Sequence, residues 1–224
     1  LDHHKRWDYL AAQRPDVYIA NSRNVAGQLE RYYNRTADSI LFPFVDLDRF
    51  KPVKTRDDYV LVLGRLEPYK RADLVLEACA KLGWPVKVGG SGSWLERYRQ
   101  QYRRYPNIEF LRRVPEDQLP SLYAHANVFV FPAEEDAGIT PLEAMASGCP
   151  VLAYGKGGAL ESIRAGVSGE FFFEQSADGV ARALSNFDWK GYTPTRIRDQ
   201  ARQFDMPHFK TTLVKVVHQV LQIH

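Results

Sequence analysis

From Asp58 onward the sequence alternates between two hydrophobic periods, and this alternation constrains the fold more than any other feature. Short β-branched apolar runs are typical of strands buried on both faces, whereas apolar residues three or four positions apart are typical of amphipathic helices. Alternating strands and helices build right-handed βαβ units. We therefore predict an α/β fold with a doubly wound parallel sheet. The predicted strands are residues 59–64, 85–90, 107–112, 127–132, 150–154 and 169–173.

The first fifty residues have a different organisation. Residues 16–22 and 39–45 are predicted strands on either side of a predicted helix at residues 24–33. A single βαβ unit is too small to cover both faces of a sheet by itself. Residues 48–58 are polar, as expected of a linker.

Three parts of the chain follow from this pattern. We expect residues 1–50 to be the remnant of a preceding domain, residues 51–190 to form the sheet domain, and residues 191–224 to form a loop and a helix. Around and within that last region, we predict a loop at residues 187–196 and a terminal helix at residues 211–224. Because the sequence begins at Leu1 rather than at a methionine, we expect a fragment or a processed product.

Composition narrows the function classes. No apolar run approaches the roughly 20 residues of a membrane span, and a net charge of +3 gives no case for nucleic-acid binding. The two cysteines, Cys79 and Cys149, have apolar sequence neighbours and are predicted to be buried, reduced and cytosolic. The arginine-dense stretch at residues 96–113 is interpreted as a solvated helix face, with an anionic membrane surface or partner as the less favoured alternative.

Five loops that follow predicted strands carry glycines or charges. Ligands of open parallel sheets bind outside the carboxyl ends of the strands. These loops all lie at that edge, so the sequence predicts a binding site there. They are residues 64–71, 89–93, 112–117, 134–143 and 155–161.

Two of these loops have features found in phosphate-binding loops, and the indication is stronger in the first than in the second. Lys70 and Arg71 directly precede a predicted helix, whose positive N-terminus disfavours cations unless an anion binds there. The alternative is that both side chains reach into water, with Asp73 as a compensating acid. The second loop, "GGSGS", is an incomplete dinucleotide fingerprint, so we infer only that Gly90 and Gly92 allow a close backbone approach to a ligand or a helix.

The stretch "AEEDAGITPLE" precedes the fourth helix of the sheet domain. Thr140 as N-cap, with Glu143 as its partner in a capping box, gives a purely structural interpretation. That interpretation leaves Glu134, Glu135 and Asp136 unexplained. Carboxylates at the mouth of a helix can accept hydrogen bonds from sugar hydroxyls, while free N–H groups of the first turn can hold a phosphate. A nucleotide sugar presents both groups.

The same stretch extends to "EDAGITPLEAMASGCPVLAYGKGGALESI", which resembles the signature of the retaining, GT-B-fold glycosyltransferases of family 4, also called group 1. The family's two glutamates, separated by seven residues, correspond to Glu135 and Glu143. "GRLEPYKR" resembles the family's arginine and lysine clamp for a diphosphate. "DVYIANS" and "LFPFVDLDRF" resemble the end of its N-terminal domain and the hinge. The resemblance implies the C-terminal, donor-binding, Rossmann-like domain of a GT-B fold.

The resemblance also implies roles for particular residues. Arg65 and Lys70 would neutralise the departing diphosphate, and Glu135 would bind hydroxyls of the donor sugar; these three are the expected catalytic residues. Glu143 would bind the ribose hydroxyls. Other residues are expected to bind the donor through a close backbone approach, through backbone N–H groups or by recognition of the base. They are Gly64, Gly90, Gly92, Arg113, Val114, Gly138, Ile139 and Thr140.

The implied reaction is the transfer of a hexose with retention, without a metal ion or another cofactor. The expected donor is GDP-mannose, by similarity to the bacterial and archaeal mannosyltransferases of surface polysaccharides, and the acceptor is a saccharide or a lipid-linked saccharide. The expected location is the cytoplasm, including the inner face of the cell membrane. Asp46-Leu47-Asp48 is interpreted as a turn rather than a metal motif, and no role is assigned to His3 or His4. The alternatives are a non-catalytic nucleotide- or partner-binding module and, less favoured, an NAD-dependent oxidoreductase.

Overall fold

The computed structural model describes residues 2–223, with side chains as far as residue 221. Leu1 and His224 lie outside the described residues, so the ends of the predicted 1–50 and 191–224 segments fall there. The strands are β1 (Ile19–Ala20), β2 (Ser39–Ile40), β3 (Val60–Leu63), β4 (Val86–Gly89), β5 (Ile108–Arg112), β6 (Val128–Phe131), β7 (Val151–Tyr154) and β8 (Gly169–Phe172). The α-helices are α1 (Asp2–Ala11), α2 (Arg23–Tyr33), α3 (Ala72–Leu82), α4 (Leu95–Gln101), α5 (Leu119–His125), α6 (Ile139–Ala146), α7 (Ala159–Ser162), α8 (Ala177–Asn186), α9 (Pro194–Ala201) and α10 (Met206–Ile223). Three short 3₁₀ turns span Pro68–Lys70, Trp189–Gly191 and Arg202–Phe204.

Six strands form one parallel sheet in the order β5-β4-β3-β6-β7-β8. The chain starts in the middle at β3, moves outward to β5, returns to β6 beside β3, and then moves outward in the opposite direction. This order is that of a doubly wound Rossmann-like sheet, and the gap between β3 and β6 is its topological switch point. The predicted fold class is confirmed, and each predicted strand overlaps an observed one.

The alternating side chains of each strand divide the core into two layers. On β3, Val60 and Val62 face one layer, where α3, α4 and α8 supply Leu76, Tyr98 and Leu184. The opposite layer receives Leu61 and is covered by α5, α6 and α9. Because both faces are buried, the strands are apolar at nearly every position. Cys79 and Cys149 are buried, one in each layer, and burial raises the pKa of each thiol to about 12.

Residues 2–40 form a small unit beside this sheet. The predicted helix at 24–33 is α2, which Ser22 caps through a hydrogen bond from Val25 N. The two strands predicted in this region shorten to residues 19–20 and 39–40, which pair in parallel. Sequence periodicity did not predict α1, whose ten residues are all at least partly exposed.

The segment at residues 48–58 is not a loose linker, because its side chains are anchored in the sheet domain. Phe50 is buried in the α5, α6 and α9 layer. Arg56 donates to the carbonyls of Gly148, Trp189 and Tyr192 at 2.9–3.2 Å, and burial lowers the pKa of its guanidinium. Local polarity predicted a linker, but the carbonyl acceptors are distant in sequence.

The C-terminal region contains more helix than predicted. The expected loop at residues 187–196 includes a 3₁₀ turn and the first residues of α9, which begins at Pro194. The expected helix at 211–224 begins at Met206. Arg198 on α9 donates to Leu47 O at 2.6 Å, to Ala146 O at 2.7 Å and to Phe50 O. Between residues 2 and 223, none of the helices is both long enough and apolar enough to cross a membrane.

Candidate active site

Two adjoining cavities open at the carboxyl ends of β3, β4 and β6. The larger, which we call the main cleft, has a volume of about 370 Å³. The smaller, which we call the side pocket, has a volume of about 60 Å³ and lies at the switch point between β3 and β6. The main cleft is lined by Leu63, Gly64, Arg65, Gly89, Gly90, Ser91, Arg113, Val114, Glu116, Leu119, Tyr123, Thr140 and Glu143. The side pocket is lined by Val62, Leu63, Gly64, Arg65, Leu66, Lys70, Ala72, Val130, Phe131, Pro132, Ala133 and Thr140.

The residues predicted as a diphosphate clamp converge on the side pocket. Arg65 and Lys70, from the loop after β3, line it together with Thr140 from the first turn of α6. Lys70 Nζ forms an ion pair with Glu135 Oε1, and their side chains are only 23 % and 19 % exposed. Arg65 Nη2 donates to the hydroxyl of Tyr69. Residues about 70 positions apart in sequence therefore meet where the fold predicts a ligand.

Arg71 does not join this cluster. It is the N-cap of α3 in the left-handed conformation, with φ 54°, and its guanidinium lies 3.4 Å from the carboxylate of Asp73. It also reaches Gln175 at 3.5 Å. Arg71 is therefore not among the residues that line the side pocket with Lys70, and it pairs with Asp73, the acid that the alternative named. A contact of Arg71 with a phosphate stays a prediction.

Helix α6 begins at Ile139, one residue before Thr140, and its N-cap is Gly138 with φ 77°. The predicted capping box between Thr140 and Glu143 is therefore wrong. Pro141 has no N–H, so the first turn offers the N–H groups of Ile139 and Thr140, and neither has an acceptor among residues 2–223. The positive φ of a glycine permits this early start. The expected N–H groups are thus available beside the side pocket.

Glu143 lies at the base of the main cleft and accepts a hydrogen bond from the hydroxyl of Tyr123 at 2.8 Å. Burial raises the pKa of Glu143, while the hydrogen bond from Tyr123 and the positive charge of Arg49 oppose this rise. In the sequence, Tyr123 belongs to an apolar stripe with Leu119, Leu122 and Ala126, which is typical of a core-facing helix and did not indicate this contact. A lone tyrosine in such a stripe is the available signal, because a buried hydroxyl needs a partner.

Gly90 and Gly92 serve a close approach between two loops. A Cβ atom on Gly90 would lie 1.8 Å from Gly64 O, and one on Gly92 would lie 2.5 Å from Leu66 O. The protein neighbour of both glycines is therefore the loop after β3, rather than a helix, and their approach to a ligand stays a prediction. Gly64 and Gly90 also line the main cleft. The glycines hold the loops after β3 and β4 together so that Arg65 faces the cavities.

The base-recognition candidates, Arg113 and Val114, lie in the loop after β5 and line the main cleft. A larger cleft of about 610 Å³ lies beside α5 and is lined by Lys87, Tyr59 and other residues. Among the predicted site residues, it shares only Val114 with the main cleft. Because it lies away from the switch point, we do not place the site there.

The three consecutive acids have three different environments. Glu135 pairs with Lys70, and Glu134 is exposed. Asp136 Oδ1 accepts from Gln28 Nε2 at 3.1 Å and from Asn24 Nδ2 at 3.4 Å, so it contacts α2. Sequence analysis did not distinguish these environments. The residues that separate the three acids in space lie more than 60 positions away along the chain.

Glu161, on the short helix α7 that follows β7, makes a second contact with α2. Its carboxylate accepts from Arg23 N at 2.9 Å and from Asn24 N at 2.8 Å. Sequence analysis missed this acceptor because the N–H groups lie more than 130 positions away. The loops that follow β6 and β7 are thus tied to the N-terminal unit by two carboxylates.

Asp46 and Asp48 form a turn, as predicted. Asp46 Oδ1 accepts from Asp48 N at 2.9 Å and from Arg49 N at 3.2 Å. Within residues 2–223, no group of three or more histidine, cysteine, aspartate or glutamate side chains has an arrangement suited to a metal ion.

Sequence comparison identifies relatives of this chain. A profile of the family described as "Glycosyl transferases group 1" matches residues 45–204. A D-inositol 3-phosphate glycosyltransferase of Streptomyces scabiei is 30 % identical over 77 % of this chain and 46 % of its own length. A GDP-mannose-dependent alpha-(1-6)-phosphatidylinositol monomannoside mannosyltransferase of Mycolicibacterium smegmatis is 29 % identical over 82 % of this chain and 58 % of its own length. The chain spans about half the length of these curated relatives.

Solved structures share the fold. Sucrose-phosphate synthase from Thermosynechococcus elongatus superposes over 100 % of this chain and 63 % of its own, with a TM-score of 0.86 and 20 % identity. HepE from Anabaena, in complex with UDP-glucose, superposes over 96 % of this chain and 67 % of its own, with a TM-score of 0.84 and 20 % identity. The sheet is the Rossmann-like unit of GT-B glycosyltransferases. By the match over residues 45–204, the chain belongs to the group 1 glycosyltransferase family.

Proposed function

We propose that this chain is the donor-binding part of a glycosyltransferase that transfers a hexose from a nucleoside diphosphate to a saccharide or lipid-linked acceptor. The observation that carries this proposal is the convergence of Arg65, Lys70 and the first turn of α6 on the side pocket. Two cations and free helix N–H groups are suited to bind a diphosphate. The larger main cleft beside them has room for the nucleoside.

The same groups would assist the chemistry. Departure of the sugar leaves negative charge on the diphosphate, and preorganised positive charge stabilises that charge in the transition state. In the free protein, Lys70 is paired with Glu135. On binding, the diphosphate would replace Glu135 as the partner of Lys70. The released carboxylate would then accept hydrogen bonds from hydroxyls of the donor sugar.

The finer parts of the proposal concern the donor and the stereochemistry. We propose mannose from GDP-mannose as the donor, supported by the GDP-mannose dependence in the name of the mycobacterial relative. A solved structure of similar fold contains UDP-glucose, so UDP-glucose is the competing donor to test. We propose retention, in which the acceptor attacks on the face that the diphosphate leaves. Arg65 and Lys70 supply positive charge, so we propose transfer without a metal ion, which is to be tested by assay with EDTA.

Partners and location are also part of the proposal. Residues 1–50 would belong with an acceptor-binding domain, and residues 51–190 would bind the donor. The acceptor would be a precursor of a surface polysaccharide or of a glycolipid, reached by peripheral association with the cytoplasmic face of the membrane. The phosphatidylinositol monomannoside in the name of the mycobacterial relative supports this class of acceptor.

A ligand panel tests donor binding directly. Thermal shift and isothermal titration of this chain are carried out with GDP-mannose, GDP, UDP-glucose and UDP. We expect saturable binding of at least one nucleotide sugar. Lys70→Ala should weaken it by about tenfold or more, since hydrogen bonds to charged groups are strong. Arg71→Ala is the matched control, because Arg71 pairs with Asp73 away from the side pocket, and it should keep the wild-type affinity.

Two outcomes count against parts of the proposal. If the folded chain binds none of the four nucleotides, donor binding is excluded. If it binds a nucleotide sugar, but no sugar is transferred or hydrolysed when the acceptor domain of a relative is supplied, the chain is a non-catalytic nucleotide-binding module. An NAD titration in the same assay tests the oxidoreductase alternative.

A further inference from the structure

Tyr123 is a buried residue whose hydroxyl reaches the wall of the main cleft. It lies on α5 and its side chain is 0 % exposed. Its ring packs edge-on against Phe129, with centroids 5.5 Å apart, and against Phe50, with centroids 6.1 Å apart. Aromatic neighbours on two sides leave the ring little rotational freedom. The position of the hydroxyl is therefore fixed by the core.

The partner of this hydroxyl is a carboxylate of the candidate site. Tyr123 donates to Glu143 Oε2 at 2.8 Å, whereas Glu143 Oε1 has no donor among the residues whose side chains are described. Both residues line the main cleft. Because one oxygen is held by the core, the other remains as an acceptor for a ligand.

Other charged groups face Glu143, but none holds it. Arg49 attracts the carboxylate and Glu116, in the loop after β5, repels it. These two residues bond each other, with Arg49 Nη2 at 2.6 Å from Glu116 Oε2. Arg65 and Arg113 also line the main cleft. Tyr123 is therefore the residue that fixes the orientation of Glu143.

We propose that Tyr123 is a positioning residue, which acts through Glu143 to select nucleotides that carry vicinal ribose hydroxyls. This inference rests on the proposed function, because it requires a nucleoside in the main cleft. A glutamate side chain has several rotamers, and a fixed donor at Oε2 keeps Oε1 available without reordering on binding. A ribose diol supplies the hydroxyl donors that such an acceptor needs.

The experiment compares each nucleotide with its 2′,3′-dideoxy analogue by isothermal titration. GDP and UDP are titrated first, and the tighter ligand is used. The wild-type protein should prefer the diol, and Tyr123→Phe should lower this preference by about tenfold, the loss expected for a hydrogen bond to a charged group. A general structural defect would weaken both ligands equally and leave their ratio unchanged. Tyr98→Phe is the matched control, because Tyr98 is a buried tyrosine of the opposite core layer.

A second variant tests the same orientation without touching the tyrosine. In Glu143→Gln, the tyrosine hydroxyl should hold the amide oxygen and leave the amide NH₂ at the position of Oε1. The preference for the diol should then fall, as in Tyr123→Phe. Should the tyrosine impose no orientation, the amide can rotate to present its oxygen, and the preference should persist. This variant also replaces Tyr123→Phe if the latter does not fold.

The outcomes separate the inference from the proposed function. If the wild-type chain binds neither GDP nor UDP, both are overturned. If it binds a nucleotide but does not prefer the diol, or if Tyr123→Phe or Glu143→Gln keeps the full preference, only the role of Tyr123 is overturned. A loss of preference in both variants, with Tyr98→Phe unchanged, supports it.

Discussion

Lys70 and Glu135 form an ion pair across the switch point of the sheet, between the loop after β3 and the loop after β6. Both side chains are mostly buried, so removing one of them would leave the charge of the other desolvated and without compensation. The carboxylate of Glu135 offsets one positive charge in a site that contains two cations and a helix N-terminus. It also places a sugar-binding candidate in contact with a phosphate-binding candidate before any ligand arrives.

Replacing Glu135 should separate the binding of the sugar, proposed for Glu135, from the binding of the diphosphate, proposed for Lys70. In Glu135→Gln, the diphosphate no longer competes with a carboxylate for Lys70. The affinity for GDP should therefore be kept or rise by about twofold to tenfold. The extra affinity for GDP-mannose over GDP should fall, because a charged acceptor for sugar hydroxyls is lost. Isothermal titration of both ligands measures the ratio. Glu134→Gln, at an exposed neighbouring position, serves as the control. A loss of GDP affinity as large as in Lys70→Ala would contradict this prediction.

The loop contact at Gly90 should be sensitive to a single methyl group. The added Cβ of Gly90→Ala would lie 1.8 Å from Gly64 O, at a φ of 133°. We expect a loss of about 2 kcal/mol or more in the free energy of unfolding, since overpacking and backbone strain add. Gly166→Ala is the control, because its φ is 71° and its Cβ would meet nothing within 4 Å. Urea denaturation compares the two, and equal losses would show that the loop contact has no special cost.

Stability should depend on pH through Glu143. Burial raises the pKa of Glu143 in the folded protein, so the folded state holds its proton more tightly than the unfolded state. Stability from this group is present below the ordinary pKa and is lost as pH rises through the raised pKa. Glu143→Gln should therefore be more stable than the wild type at neutral pH, and the difference should shrink under acid conditions. Urea titrations from pH 4 to pH 7.5 measure it, and a difference that does not change with pH would refute the assignment.

Helix α2 should depend on an acid from the sheet domain. Glu161 accepts from the N–H groups of Arg23 and Asn24, both in the first turn of α2. In Glu161→Ala, we expect a loss of about 0.5–2 kcal/mol, the range for a lost helix cap. Hydrogen exchange should become faster in α2 first. Glu30→Ala removes an exposed charge from the same helix and should leave exchange in its first turn unchanged. The link is disproved if exchange in α2 is the same in wild type and Glu161→Ala.

Much of the sheet domain could be predicted because the position of each strand depends on a short run of neighbouring residues. The β-branched runs place β3 to β8 where the structure has them, and parallel strands bring their carboxyl ends to one edge. This shared edge was enough to predict that Arg65, Lys70 and Thr140 lie close together. It required no knowledge of side-chain packing.

The failures share a different physical origin. The capping box of Thr140 was wrong because Gly138 turns the chain into α6 earlier, and because Tyr123 binds Glu143 from another helix. Arg56 and Arg198 were not recognised because their carbonyl acceptors lie in distant segments. A local pattern specifies the conformation of a segment, but it does not specify which remote group satisfies a buried donor.

The buried guanidinium groups of Arg56 and Arg198 have a practical consequence for anyone who trims this chain to isolate the sheet. A cut just before Asp58 or just after residue 190 looks natural on a topology diagram, yet it deletes one of these two arginines. The backbone oxygens they serve, at Leu47, Ala146 and Gly148 among others, would then be stripped of their donors. The smallest version worth expressing therefore runs from Val45 to Phe204, because it keeps both arginines and the carbonyl groups to which they donate.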